Sequence, residues 1–155
     1  MPVPSAAPAA AARPGSAPAQ GTGTSTSTQT TERAGDELER ALARHVKRYA
    51  GGMVALMPPL RGRLDQGSKR DHMTVLSAGH CFKIVGTGGP DVQDLDLLLF
   101  DPNLVQIQRD VGHDPVPVIG QQSPLCPTLS GVYRLQARMV KGEGEYAIQV
   151  SRTSD

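Results

Sequence analysis

Beyond Pro58-Pro59 the apolar residues recur at every second position in short runs separated by glycine-rich turns, and no helical period interrupts them. Successive side chains of a strand point to opposite faces, so a period of two marks half-buried strands. Segments near 60–65, 72–78, 81–86, 94–100, 103–109, 115–120, 131–140 and 145–151 carry it. Between them lie Asp65-Gln66-Gly67-Ser68, Gly86-Thr87-Gly88-Gly89-Pro90, Asp101-Pro102-Asn103 and Lys141-Gly142-Glu143-Gly144, all turn chemistry. Short strands without crossover helices predict an all-β fold, an antiparallel sandwich or barrel. Tyr133, Leu135, Ala137 and Met139 share one face of their strand, and Arg134, Gln136 and Arg138 the other. Leu95, Leu97 and Leu99 point one way; Asp94 and Asp96 point the other, followed by Leu98 and Phe100, so the far end of that strand is expected to be covered on both faces.

What precedes the strands is of two kinds. Ala, Thr, Pro, Ser and Gly supply almost all of residues 1–31. Such a segment lacks the apolar surface to offset the entropy of ordering, and reads as a disordered linker. It shows no signal peptide, because prolines and a short Ala run replace the apolar stretch a signal needs. Residues 32–52 read as one amphipathic helix. Leu38, Leu42, Val46 and Tyr49 fall at i, i+4, i+8 and i+11, a single face. Asp36 and Glu39 suggest a capping box at its start, and Gly51-Gly52 its end. That stripe docks either on the strand domain or on a partner protein, which makes its four residues the candidate partner-binding set.

Lys and Arg total 16 against 15 Asp and Glu, a net charge of +1. No bulk field therefore draws the chain to nucleic acid. Five aromatics and no Trp leave no platform for stacking bases. The apolar runs are too short for a transmembrane segment.

Two constellations carry chemistry. Cys81 and Cys126 stand 45 residues apart without a C-x-x-C pair; a disulfide, two buried thiols, and a metal or catalytic role are the three readings. A disulfide points to an oxidising compartment. Asp94 and Asp96 on one strand face, with Asp101 and Asn103 at the following turn, offer hard oxygen ligands of the kind calcium takes. The competing reading is turn chemistry, in which Asp binds its own backbone. No other cofactor is indicated. The four histidines are scattered without metalloprotease spacing, and no G-x-S-x-G elbow occurs.

The run Asp94-Leu95-Asp96-Leu97-Leu98-Leu99-Phe100-Asp101-Pro102-Asn103 resembles the DLDLxLxDPNG signature of bacterial pre-peptidase C-terminal domains. Leu60–Gly67 followed by Asp71–Val75 is similar to that family's opening, and Ser77-Ala78-Gly79 to its xAG turn. Ser130-Gly131-Val132-Tyr133-Arg134-Leu135 and Gly144-Glu145-Tyr146-Ala147-Ile148-Gln149-Val150 resemble its xGxYxLxV and GxYxLxV strands. Gly79-His80-Cys81-Phe82 and Leu125-Cys126-Pro127 look like a cysteine-containing variant. The resemblance covers roughly 58–151. It implies a jelly-roll-like antiparallel β-sandwich of about eight strands, exported and not itself catalytic. No enzyme module precedes it in this sequence. The expectation is thus a non-catalytic accessory or binding domain at the cell envelope, in the periplasm, tethered to the outer membrane or outside the cell. Its partner would be a protein or a cell-surface polymer. The alternatives are a structural spacer held by the tail, or a hydrolase whose site the sequence does not reveal.

Overall fold

The computed structural model describes residues 24–154, with side chains from Gln29 onward. One helix, α1 (Thr24–Ala50), is followed by nine strands: β1 (Val54–Ala55), β2 (Leu60–Leu64), β3 (Lys69–Leu76), β4 (Phe82–Gly88), β5 (Val92–Phe100), β6 (Gln106–Asp110), β7 (Val118–Ile119), β8 (Gly131–Gly142) and β9 (Gly144–Arg152). The strands form two antiparallel sheets packed face to face, the all-β sandwich the period of two predicts. One sheet runs β1-β9-β4-β7, with β2 also on β9; the other runs β3-β8-β5-β6. None of the described helices is long and apolar enough to cross a membrane.

The core lies between the sheets. Tyr133, Leu135, Ala137 and Met139 from β8, and Leu95, Leu97 and Leu99 from β5, are all buried in it, as their alternation requires. From the opposite sheet come Ile84, Tyr146, Ile148 and Val150. Tyr146 is fully buried, and its hydroxyl bonds His72 Nε2 of β3 at 2.7 Å, tying one sheet to the other. A side chain at Gly62 would run into the Tyr146 ring, so glycine is what lets β2 pass over it.

In β9 the run Ala147-Ile148-Gln149-Val150-Ser151 is buried on both faces. The reason is α1, which lies across β4 and β9 on the outside of their sheet. Leu38 and Leu42 bury against Ala147, with Val46 alongside. Val46, Tyr49 and Met53 then pack on Ala50, Val85 and Val118. The stripe is therefore docked on the chain's own sandwich, and Leu38 and Leu42 are closed to a partner. Arg61 of β2 pairs with Glu39, and Lys83 Nζ donates to Tyr49 O at 3.0 Å. The second contact places a cation on one of the last helical carbonyls, where the helix dipole favours it. Gly52, at φ 82°, turns the chain out of the helix.

The N-terminal boundary differs from expectation. The helix begins at Thr24, so residues 24–31 are its opening turns, and Asp36 sits mid-helix instead of capping. No proline lies between Pro18 and Pro58. Ser and Thr lower helix propensity by well under 1 kcal/mol each, too little to stop a helix anchored further along. The linker expected over 1–31 is thus helical from residue 24; its remainder, residues 1–23, and the expectation of no signal peptide lie outside the described residues.

Candidate functional site

Cys81, at the entry to β4, and Cys126 form a disulfide with Cα atoms 4.1 Å apart. Their neighbours Phe82 and Leu125 exchange two backbone hydrogen bonds, at 2.7 and 2.8 Å. Together with Pro115 O and Pro117 O, which accept from Gly88 and Gly86, this segment covers the free edge of β4. The bridge locks that cover in place.

The acidic residues separate into two groups. Asp101 closes the loop after β5: its Oδ1 accepts from the backbone N–H of Asn103 and of Val105, both at 2.9 Å. Asp94 and Asp96 lie back along β5. Five residues part Asp96 from Asp101, roughly 16 Å at strand rise, so the four residues do not assemble into one ligand set. Among the described residues, no three His, Cys, Asp or Glu side chains are placed to hold a metal ion.

Asp94 and Asp96 instead form a pair. They stand two residues apart on β5, just past an irregularity in its pairing with β8 between Val92 and Leu95. Each leaves one carboxyl oxygen, Oδ1, buried without a hydrogen-bond partner. Burial pushes the Asp96 carboxyl up to about 6; the Asp94 charge, a hydrogen bond with Asp94 and the Asp110 charge add to this, and Arg138 opposes it. A half-sequestered carboxyl beside another carboxylate is harder to ionise, so Asp96 holds its proton more tightly than an exposed aspartate does. His113 Nδ1 lies 3.6 Å from Asp94 Oδ2 on an exposed loop. Asp110 is occupied by the backbone of Gly112 and Val118.

His72 and His45 are partly buried in the fold. Burial, followed by the nearby Arg70 charge, holds His72 below the usual imidazole value as it faces Tyr146. His45 is lowered by burial and by Arg44 and Arg48 on its own helix. A groove of about 770 Å³ runs beside α1, lined by Leu42, Val46, Ala50, Met53, Ala55 and Pro59. Gln149, which also lines it, directs its amide N–H groups to Met57 O and Val150 O.

Sequence reasoning missed the most unusual surface feature. Leu104 is the one non-glycine residue at positive φ (64°) among those described, and it is 63% exposed; Val105 beside it is 57% exposed. The strand expected over 103–109 begins only at Gln106, which leaves both side chains on the loop. The loop is stiff: besides the two Asp101 contacts, Leu104 N–H donates to Asp101 O and Asp101 N–H to Val105 O. Pro102 seats it against Gly131 at the start of β8. Two apolar residues placed directly after Asp-Pro-Asn turn chemistry are the signal in the sequence.

No family model matches the chain, and no curated protein matches it. Among solved structures, it is similar to PliG of Aeromonas hydrophila, a periplasmic lysozyme inhibitor of g-type lysozyme. The identity is 19% and the TM-score 0.45, over 61% of this chain and 84% of that one.

Proposed function

We propose that the chain is a non-catalytic binding domain that works in an oxidising compartment at the cell envelope and grips a protein partner with the loop 101–105. The observation that carries this reading is Leu104. A bulky residue in the left-handed region costs on the order of 1 kcal/mol or more and persists only where its surroundings impose it. Here the imposed conformation holds an aliphatic side chain largely out in solvent. In the DLDLxLxDPNG signature that β5 resembles, the corresponding position is glycine, the residue that would adopt this backbone freely. An exposed aliphatic anchor on a rigid, hydrogen-bonded loop suits insertion into an apolar cleft of another protein, because little entropy is lost on binding. The Cys81–Cys126 bridge supports the compartment. The engagement of His72 by Tyr146, and of Asp110 and Asp101 by backbone amides, supports a scaffold in place of a reacting centre.

A photo-crosslinking residue at position 104 tests the reading in cells of the source organism. It should trap one discrete adduct, and the same residue at Gln121 should not. Equal labelling from both positions, or no adduct at 104, would remove the basis for the proposal.

A further inference from the structure

The sandwich has several strand edges, and most are defended. β7 is two residues long and preceded by Pro115 and Pro117; β1 is also two residues. β6 has five residues and pairs irregularly where its partner bulges between Leu99 and Phe100. β3 is different. It runs for eight residues, pairs with β8 without a register break, and among the described residues carries no strand on its other side. A long, flat edge with unpaired backbone groups invites another strand unless charge or proline prevents it. The charges of β3, Lys69, Arg70 and Asp71, are confined to its first three residues. Its remaining five residues, His72-Met73-Thr74-Val75-Leu76, carry none: burial keeps His72 toward its neutral form beside Tyr146. On the outer face, Met73 is 56% and Val75 63% exposed, and Val132, opposite Val75 on β8, is 54% exposed.

We infer that a second copy of this chain covers this edge, with the two β3 strands pairing antiparallel about Thr74 to make one eight-stranded sheet. A second copy suits this edge because the apolar stretch is self-complementary about its centre, and the charges of β3 narrow the register. Centring the pair on Asp71 would set two carboxylates opposite each other, and centring it on Arg70 would oppose two guanidinium groups; both are unfavourable. Centring on Met73 would put Asp71 against Val75. Centring on Thr74 sets Met73 of each copy against Val75 of the other and leaves Lys69 and Arg70 outside the paired strands. The surface rows then match. Phe100, Arg134 and Met73 already lie in one row across β5, β8 and β3, with the Arg134 guanidinium 4.7 Å from the Phe100 ring. In the pair this row continues into Val75 and Val132 of the second copy, and twofold symmetry repeats it in reverse, as a self-complementary interface requires. Five paired residues per copy make a small contact, so association is expected on the order of micromolar. This inference is independent of the loop 101–105.

Sedimentation velocity of the full chain from about 1 to 200 μM tests it. The wild-type mass should rise from 16.4 kDa toward twice that value. Val75→Lys should remain monomeric throughout with an unchanged melting temperature, and Met73→Lys should do the same should the first variant fold poorly. Lys69→Glu, outside the paired stretch, should behave as wild type. An equimolar mixture of Met73→Cys and Val75→Cys chains should form an intermolecular disulfide that neither forms alone, which reports the register. A wild-type mass of one chain over the whole range, or a dimer that survives both lysine variants, would overturn the inference.

Discussion

Replacing Cys81 and Cys126 together by serine removes a crosslink that closes a loop of 45 residues. In the chain-entropy description, such a loop restricts the unfolded ensemble by about 4 kcal/mol. For a domain of this size each kcal/mol moves the melting temperature by roughly 2–4 °C, so a fall of roughly 8–16 °C is expected. The structure also says where the damage starts. Without the bridge, the cover over β4 keeps the Phe82–Leu125 pair and the two residues of β7 as its ladder contacts. Differential scanning calorimetry of the double variant measures the first effect, and limited proteolysis the second. First cleavage should fall between Gln121 and Leu129 in the double variant and not in the oxidised wild type. A drop below about 2 °C, or cleavage that starts elsewhere in the sandwich, would show that the bridge neither restrains the unfolded chain nor holds this segment.

Three further outcomes follow from the packing and the charges. Leu42→Ala should cost about 2–3 kcal/mol in urea unfolding, near the low end for a buried leucine because its apolar cluster with Leu38, Val46 and Ala147 is small; a loss under 0.5 kcal/mol would mean that α1 is not held by this stripe. Asp96 binds its proton more tightly in the folded chain than its ordinary 3.8, at about 6, so its contribution to stability declines as pH rises through that interval and is lowest above it. Asp96→Asn should therefore raise the melting temperature at pH 7 and flatten its dependence between pH 4 and 6, an effect kept modest by partial solvent access; an unchanged slope would count against the pair. Millimolar calcium should leave the melting temperature where it is, and an upward shift abolished by Asp94→Asn would revive the metal reading.

The strand pattern was legible wherever one face of a strand meets the core and the other meets solvent. β8 is the clearest case, with Tyr133, Leu135, Ala137 and Met139 all inside. β9 was legible as a strand over 145–151 and runs Gly144–Arg152; what the sequence did not show is that α1 covers its outer face, so that Ala147–Ser151 is buried on both faces. The start of α1 escaped notice because composition identifies residues that cannot drive folding but does not forbid a helix anchored elsewhere from running through them. The calcium reading of Asp94, Asp96, Asp101 and Asn103 rested on oxygen ligands counted along the sequence; the structure puts Asp94 and Asp96 on β5 and Asp101 in the following loop, where its carboxylate accepts backbone N–H groups. Leu104 went unread for a different reason. Its φ comes from the hydrogen bonds of Asp101 with Asn103 and Val105, and a two-residue period carried past the turn made it look like the start of a strand.

The central claim is that Leu104 is a binding anchor, and affinity for the protein trapped at that position measures it most directly. Titration calorimetry with the purified partner should show wild-type binding weakened at least tenfold by Leu104→Asp, about 1.4 kcal/mol, while Ile107→Asp on the neighbouring strand has little effect. Leu104→Gly should fold at least as stably, since glycine relieves the backbone, and should also bind weakly because the anchor is gone. Wild-type affinity in both Leu104 variants would contradict the account.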